Sequence, residues 1–173
     1  MAKIGLARID DRLIHGQVIT KWVSASKSDR IVIVDDALVT DSFLKSIFEL
    51  AKPPSISTIE VKSTVQAAGE WQANEMGQGT ILLLFKYVKQ VKDALDKGLH
   101  VDKLQIAGLA AGPGRKRVYA SISLSNEDAT ILKEISDRGI EVYIQLVPDE
   151  KPVSLQSILK SHFKSLNSKE AIV

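Results

Sequence analysis

Two hydrophobic periods alternate along the chain. Short apolar runs rich in β-branched residues give way to stretches whose apolar positions return every three or four residues. The first run, 3–9, contains Ile4, Leu6 and Ile9, and a charged turn separates it from a helical stripe, Val18, Ile19, Trp22 and Val23, which predicts a helix over 16–26. Residues 30–35 form a continuous β-branched run of the kind buried on both faces of a parallel sheet. Phe43, Leu44, Ile47, Leu50 and Ala51 then recur at helical spacing; Asp36, Thr40 or Asp41 can cap that helix, and Pro53-Pro54 ends it.

The alternation continues to the end of the chain. A strand is predicted over 56–61. Ser63 and Gln66 have capping-box spacing for a helix to about 74. Gly77 and Gly79 precede a strand over 80–85, a helix over 88–97 and Gly98 at its C-terminal turn. Strands follow over 103–107, 118–124 and 141–147. A helix capped by Ser125 or Asn126 runs to 138, and a last helix is expected over 154–166 with a fraying tail. The pattern predicts an α/β fold: an open, doubly wound, mainly parallel sheet of about seven strands with helices on both faces. The link between 107 and 118 has no helical pattern and is short for a parallel crossover, so the sixth and seventh strands are expected to supply an antiparallel pair at one edge.

Composition narrows the functional classes. The 173 residues suit a single domain, 1–173, with 45% hydrophobic and 25% charged positions. A chain of this length buries roughly two-thirds of its unfolded surface. The absence of cysteine excludes disulfides, thiolate catalysis and zinc–thiolate sites. A net charge of +2 with few aromatics argues against nucleic acid as a partner. The longest apolar run, 81–85, is too short to insert in a bilayer, and Arg8, Asp10 and Asp11 interrupt any signal-peptide core, so a cytoplasmic location is expected.

The densest chemistry lies between the first strand and the first helix: Arg8, Asp10, Asp11, Arg12 and His15. Ligands of open α/β sheets bind at the carboxyl ends of strands. A helix N-terminus adds unpaired amides and about half a positive charge, which suits phosphate. Gly16 lets an anion approach the backbone, and Gly16 and Gln17 are the phosphate-binding candidates. Arg8 and Arg12 can offer planar donors to phosphoryl oxygens. Histidine titrates near neutrality, so an imidazole here can be a neutral nucleophile. The two arginines and two aspartates cancel, and a phosphoryl group adds roughly −1.5 to −2. At least one aspartate must therefore turn away, to orient an arginine or to accept the second N–H of His15.

The run Arg-Ile-Asp-Asp-Arg-Leu-Ile-His-Gly-Gln-Val, 8–18, closely resembles the phosphorylation-site motif of IIB components of the sugar phosphotransferase system (PTS), in the mannose–fructose–sorbose family. Val34-Asp35-Asp36, Ala51-Lys52-Pro53-Pro54 and Leu84-Phe85-Lys86 also resemble the family's segments, and the likeness covers nearly the whole chain. The resemblance implies a phosphocarrier, a protein-N(pi)-phosphohistidine–sugar phosphotransferase. His15 would accept a phosphoryl group from the IIA component and pass it to a sugar as the membrane IIC and IID components carry that sugar inward. It implies no metal and no cofactor for this step, and recruitment to the inner face of the membrane through IIC and IID. Many relatives carry Asn-Ile-Gly-Gly-Met after the fifth strand, where this chain reads Gln105-Ile106-Ala107-Gly108-Leu109. The alternative class is a non-catalytic regulatory module that holds an anion at the same strand ends.

Other candidates carry less chemistry. The loop 108–117 fits no nucleotide-binding motif, but Arg115, Lys116 and Arg117 are candidates to flank the phosphohistidine or dock a partner, as are Asp35 and Lys86 at neighbouring strand ends. Asp35 and Asp36 also suit helix capping. Trp22 and His162 fall among apolar neighbours and read as core and core-border residues, and His100 as solvated.

Overall fold

The structure is a computed structural model that describes residues 1–74 and 76–167. Its main sheet has seven strands in the order β3-β2-β4-β1-β5-β8-β9. These are β1 (Lys3–Asp10), β2 (Arg30–Val34), β3 (Thr58–Lys62), β4 (Thr80–Phe85), β5 (Lys103–Gly108), β8 (Glu141–Ile144) and β9 (Val153–Ser154). All pair in parallel except β9, which runs antiparallel to β8.

The central strands are apolar on both faces because both faces are covered. Val32, Val34, Leu83 and Phe85 pack with α3 (Thr64–Asn74), α4 (Val88–Asp96), α5 (Asn126–Asp137) and α6 (Leu155–His162). Ile31, Ile33, Leu82 and Leu84 pack on the other side with the first helix and Leu38. That first helix is a π-helical turn, Val18–Trp22, running into α1 (Val23–Ala25). On the same side α2 (Ser42–Leu50) has no buried residue, although its apolar positions recur at helical spacing. A short α7 (Lys164–Asn167) follows α6. The expected fraying tail lies outside the described residues.

Local capping follows the sequence with one exchange. Asp41 caps α2 by accepting from Leu44 N at 3.0 Å. Asp36 instead accepts from Thr64 N and Oγ1, at the start of α3. Ser63 and Gln66 form the expected reciprocal pair, as do Ser125 and Asp128 at α5.

The sixth and seventh predicted strands need correction. Residues 118–124 are not one strand. They belong to an antiparallel hairpin, β6 (Arg115–Tyr119) and β7 (Ile122–Ser125), which forms its own two-stranded sheet and turns at Ala120, φ +36°. The turn has no glycine or asparagine to announce it. The strand beginning at Glu141 is parallel to β5 and ends at Ile144. The antiparallel edge pair exists, but β9 supplies it, and two residues are too few to give a period.

Chain order places the site. From β1 the chain moves to β2 on one side, and later crosses from β4 to β5 on the other. The carboxyl end of β1 is therefore the switch point where open α/β sheets bind ligands.

Candidate active site at the end of β1

Along β1, Arg8 and Asp10 point to the same face, two residues apart. Both are buried, Arg8 at 1% exposure and Asp10 at 0%. Asp10 is the hub. It accepts from Arg8 Nη2 at 3.0 Å, from the Arg12 backbone N–H at 3.2 Å, and lies 2.7 Å from His15 Nε2. Arg12 Nε is 3.6 Å away. The opposing strand is shaped to fit: β5 sets Gln105 beside Arg8, then slips register so that Gly108 stands opposite Asp10. A Cβ on Gly108 would lie 2.7 Å from Asp10 Oδ1, so only glycine leaves room for the carboxylate.

A second layer holds Arg8. Its Nη1 donates to Gln105 Oε1 at 2.5 Å, and its guanidinium lies 5.1 Å over the Trp22 ring. Trp22 Nε1 in turn donates to Leu146 O after β8. Burial lowers the Arg8 pKa, and the Asp10 carboxylate opposes that shift. The structure places Arg8 in the interior, 1% exposed and paired with Asp10, rather than at the surface of the turn.

The turn that follows is tight. Leu13 N donates to Asp10 O, and Leu13 holds φ +56° while its side chain is buried. A left-handed non-glycine residue at a charged turn is stored backbone strain. It lifts Arg12 outward, its side chain 59% exposed, and returns His15 to Asp10, its side chain 14% exposed. Asp11 turns to the neighbouring loop, where its carboxylate accepts from Ala110 N at 2.7 Å. With Asp10 against Arg8 and Asp11 on that amide, Arg12 remains the outward cation. Nothing lies within 4 Å of a Cβ placed on Gly16, so the backbone there is open to an approaching group. Gln17 is exposed beside it.

Two clefts flank this turn and share Asp11 and Arg12. One, of about 660 Å³, lies toward Gln17, Ser121 and Glu150. The other, of about 470 Å³, runs between Leu13, Lys86 and Tyr87 toward Leu44 and Phe48 on α2.

The remaining sequence candidates divide. Asp35 is buried and spends one carboxylate oxygen on Ala37 N and Leu38 N, so it caps a turn, although it borders the second cleft. Lys86 lies in that cleft, 5.5 Å from the Tyr87 ring centre. Arg115 donates to Ala110 O and pairs with Asp128. Lys116 sits over the Phe163 ring and donates to His162 O, and Arg117 donates to Ala120 O. Lys116 and Arg117 are therefore tied to their own hairpin and to the end of α6, not gathered around His15. Gln105 and Gly108 carry roles that sequence reasoning missed. A lone amide in an apolar strand was the available signal for the first. Among the described residues no group of three His, Asp or Glu side chains could hold a metal.

Fold and site together define an open-sheet α/β protein with a carboxylate-held histidine at its switch point. Residues 4–170 match the family model described as the PTS system sorbose subfamily IIB component. The chain belongs to that family. It is 30% identical over 153 residues to the sorbose-specific EIIB component of Klebsiella pneumoniae, covering 88% of this chain and 93% of the relative. It is similar to the crystal structure of manxB from Thermoanaerobacter tengcongensis, with a TM-score of 0.86, 38% identity, and 94% and 98% coverage of this chain and that one. It is also 28% identical over 156 residues to the mannose-specific EIIAB component of Escherichia coli K12; that match takes in 90% of this chain but spans about half, 48%, of the relative's length. Among the described residues no helix is long and apolar enough to cross a membrane.

Proposed function

We propose that this IIB component carries a phosphoryl group on His15 Nδ1, taken from a phosphohistidine of a IIA component and passed to a sugar in transit through IIC and IID. The whole of 1–173 acts as one phosphocarrier domain, working in the cytoplasm and recruited to the membrane by those partners. The observation that carries the reading is the 2.7 Å contact between Asp10 and His15 Nε2. A carboxylate at Nε2 keeps the proton on that nitrogen, which leaves the Nδ1 lone pair free for attack.

The step balances without a cofactor. Nδ1 attacks phosphorus in line, the P–N bond to the donor imidazole breaks, and that imidazole leaves with its electron pair. The Nε2–H stays on His15, and Asp10 offsets the positive charge the ring gains. Arg12 meets the charge on the transferring oxygens, and the amides after Gly16 offer further donors, so the catalysis is positioning and electrostatics. On delivery a sugar hydroxyl oxygen attacks phosphorus, the P–Nδ1 bond breaks with its electron pair left on the ring, and the hydroxyl proton is released to water. Asp10, itself neutralised by Arg8, supports the ring without adding an unpaired negative charge beside the phosphate.

The test is acid-labile phosphate on His15 after incubation with phosphoenolpyruvate, the general phosphotransferase proteins and a IIA donor. The native chain should label and His15→Ala should not. Equal labelling of the two would sink the proposal. A chain that binds phosphate but never labels would fit the regulatory alternative.

A further inference from the structure

Four of the exposed large apolar side chains among the described residues sit on one helix. On α2, Phe43 is 72% exposed, Leu44 44%, Ile47 47% and Leu50 83%. The helix is firmly capped by Asp41, yet it buries none of its nine residues. Isolated apolar residues on a surface need no explanation, but a contiguous stripe does. Tyr87, 42% exposed, extends it across the cleft.

The stripe is continuous with the site. The cleft that reaches Leu44 and Phe48 is also lined by Asp11, Arg12 and Leu13, in the turn that leads to His15. Whatever covers α2 therefore also reaches the phosphorylation turn. The geometry points to the face of α2, with its cleft, as the docking surface for the phosphorylated donor protein. This rests on the phosphocarrier reading above.

Three physical points choose that occupant. A lipid surface is disfavoured because the charges along α2 itself, Lys45 and Glu49, cancel as an i,i+4 pair, and the nearby cations Arg12 and Lys86 line the cleft rather than the helix. A permanent second copy would cover the approach to His15 and stop the transfer. Of the partners that must come and go, the donor alone arrives with a dianionic phosphoryl group. The cleft offers it Arg12 and Lys86, while its carboxylates, Asp11, Asp35 and Asp41, are each engaged by backbone amides, and Leu44 and Phe48 add an apolar side. An acceptor sugar hydroxyl has no charge to use those cations. Apolar anchors with a cationic edge give affinity and orientation together.

The experiment compares two donors on two chains. The double variant Phe43→Glu, Leu50→Glu changes the two most exposed positions and should fold as the native chain does, checked by its thermal midpoint. With phospho-IIA below saturation, labelling of His15 should fall at least tenfold, through KM. With phosphoramidate, a small phosphoryl donor that needs no docking, it should stay within twofold. Unchanged labelling by phospho-IIA overturns the inference, as does equal slowing with both donors. So does a native dimer, seen by sedimentation, that the variant dissolves: a second copy would then be the occupant. So too does lost binding to vesicles bearing IIC and IID at an unchanged donor rate, which would assign the face to the acceptor. A native chain that neither donor labels fails the phosphocarrier reading itself, a result distinct from all of these.

Discussion

Two segments of this chain look alike on paper and behave as opposites. Residues 8–15 and 115–117 are both dense in charge and both lie beside strand ends. In the first, the charges turn inward on one another: Arg8, Arg12 and His15 converge on the buried carboxylate of Asp10. In the second, Lys116 and Arg117 fasten their own hairpin and the end of α6 through carbonyl oxygens. The difference is a fully buried acid: Asp10 is 0% exposed and gathers three side chains, whereas Asp128 draws in the side chain of Arg115 alone, at 3.5 Å. A buried carboxylate must collect donors or remain unsolvated, so it organises whatever can reach it. Cations without such a hub, here Lys116 and Arg117, bond to nearby carbonyl oxygens.

The comparison breaks hardest at the hub. Asp10→Ala strands the Arg8 guanidinium without its anion, and breaking a buried pair costs about 3–5 kcal/mol. Urea unfolding should show a loss of that size. Asp10→Asn keeps the volume and an acceptor for Arg8 but no longer fixes the ring as a carboxylate does. It should fold and label His15 at no more than one-tenth of the native rate. Native-rate labelling by Asp10→Asn would mean that the carboxylate does not set the histidine.

A smaller effect tests the wall rather than the hub. Gly108→Ala places a methyl 2.7 Å from Asp10 Oδ1, against a carboxylate that is held on three sides. Overpacking of this kind costs about 1–3 kcal/mol. Because Asp10 must shift, His15 should shift with it, and labelling should slow severalfold even where the protein remains folded. The control is Gly16→Ala, where the structure leaves open space and unfolding should be little changed.

How much of this was legible depended on whether a residue's role was local. The β2 and β4 runs announced burial on both faces, and Ser63, Gln66, Ser125 and Asp41 announced caps, because those signals lie within a few positions. The charge count asked for an aspartate turned away from a phosphate, and in the structure Asp11 accepts from Ala110 N while Asp10 pairs with Arg8. Which one, and toward what, needed Gly108 and Ala110, nearly a hundred residues distant. The burial of Arg8 was hidden for the same reason: its partner Gln105 comes from β5, and strand pairing alone brings them together. The hairpin was hidden because Ala120 takes a left-handed turn without the usual residue. The stripe on α2 was visible as a helix, but nothing in a period says whether another element will cover it.

The smallest expected differences separate the two charged segments most cleanly. Arg12→Ala removes a side chain that is 59% exposed and 3.6 Å from Asp10. Stability should change by less than about 0.5 kcal/mol, as for most surface positions. Labelling of His15 should nevertheless fall about tenfold, which corresponds to about 1.4 kcal/mol of transition-state stabilisation. Arg117→Ala also removes an exposed arginine, one whose side chain donates to the Ala120 carbonyl. It should match Arg12→Ala in unfolding and leave the labelling rate within twofold of native. If both variants label slowly, the hairpin cations reach the phosphoryl group after all. If neither does, the outward cation at the turn is not what meets its charge.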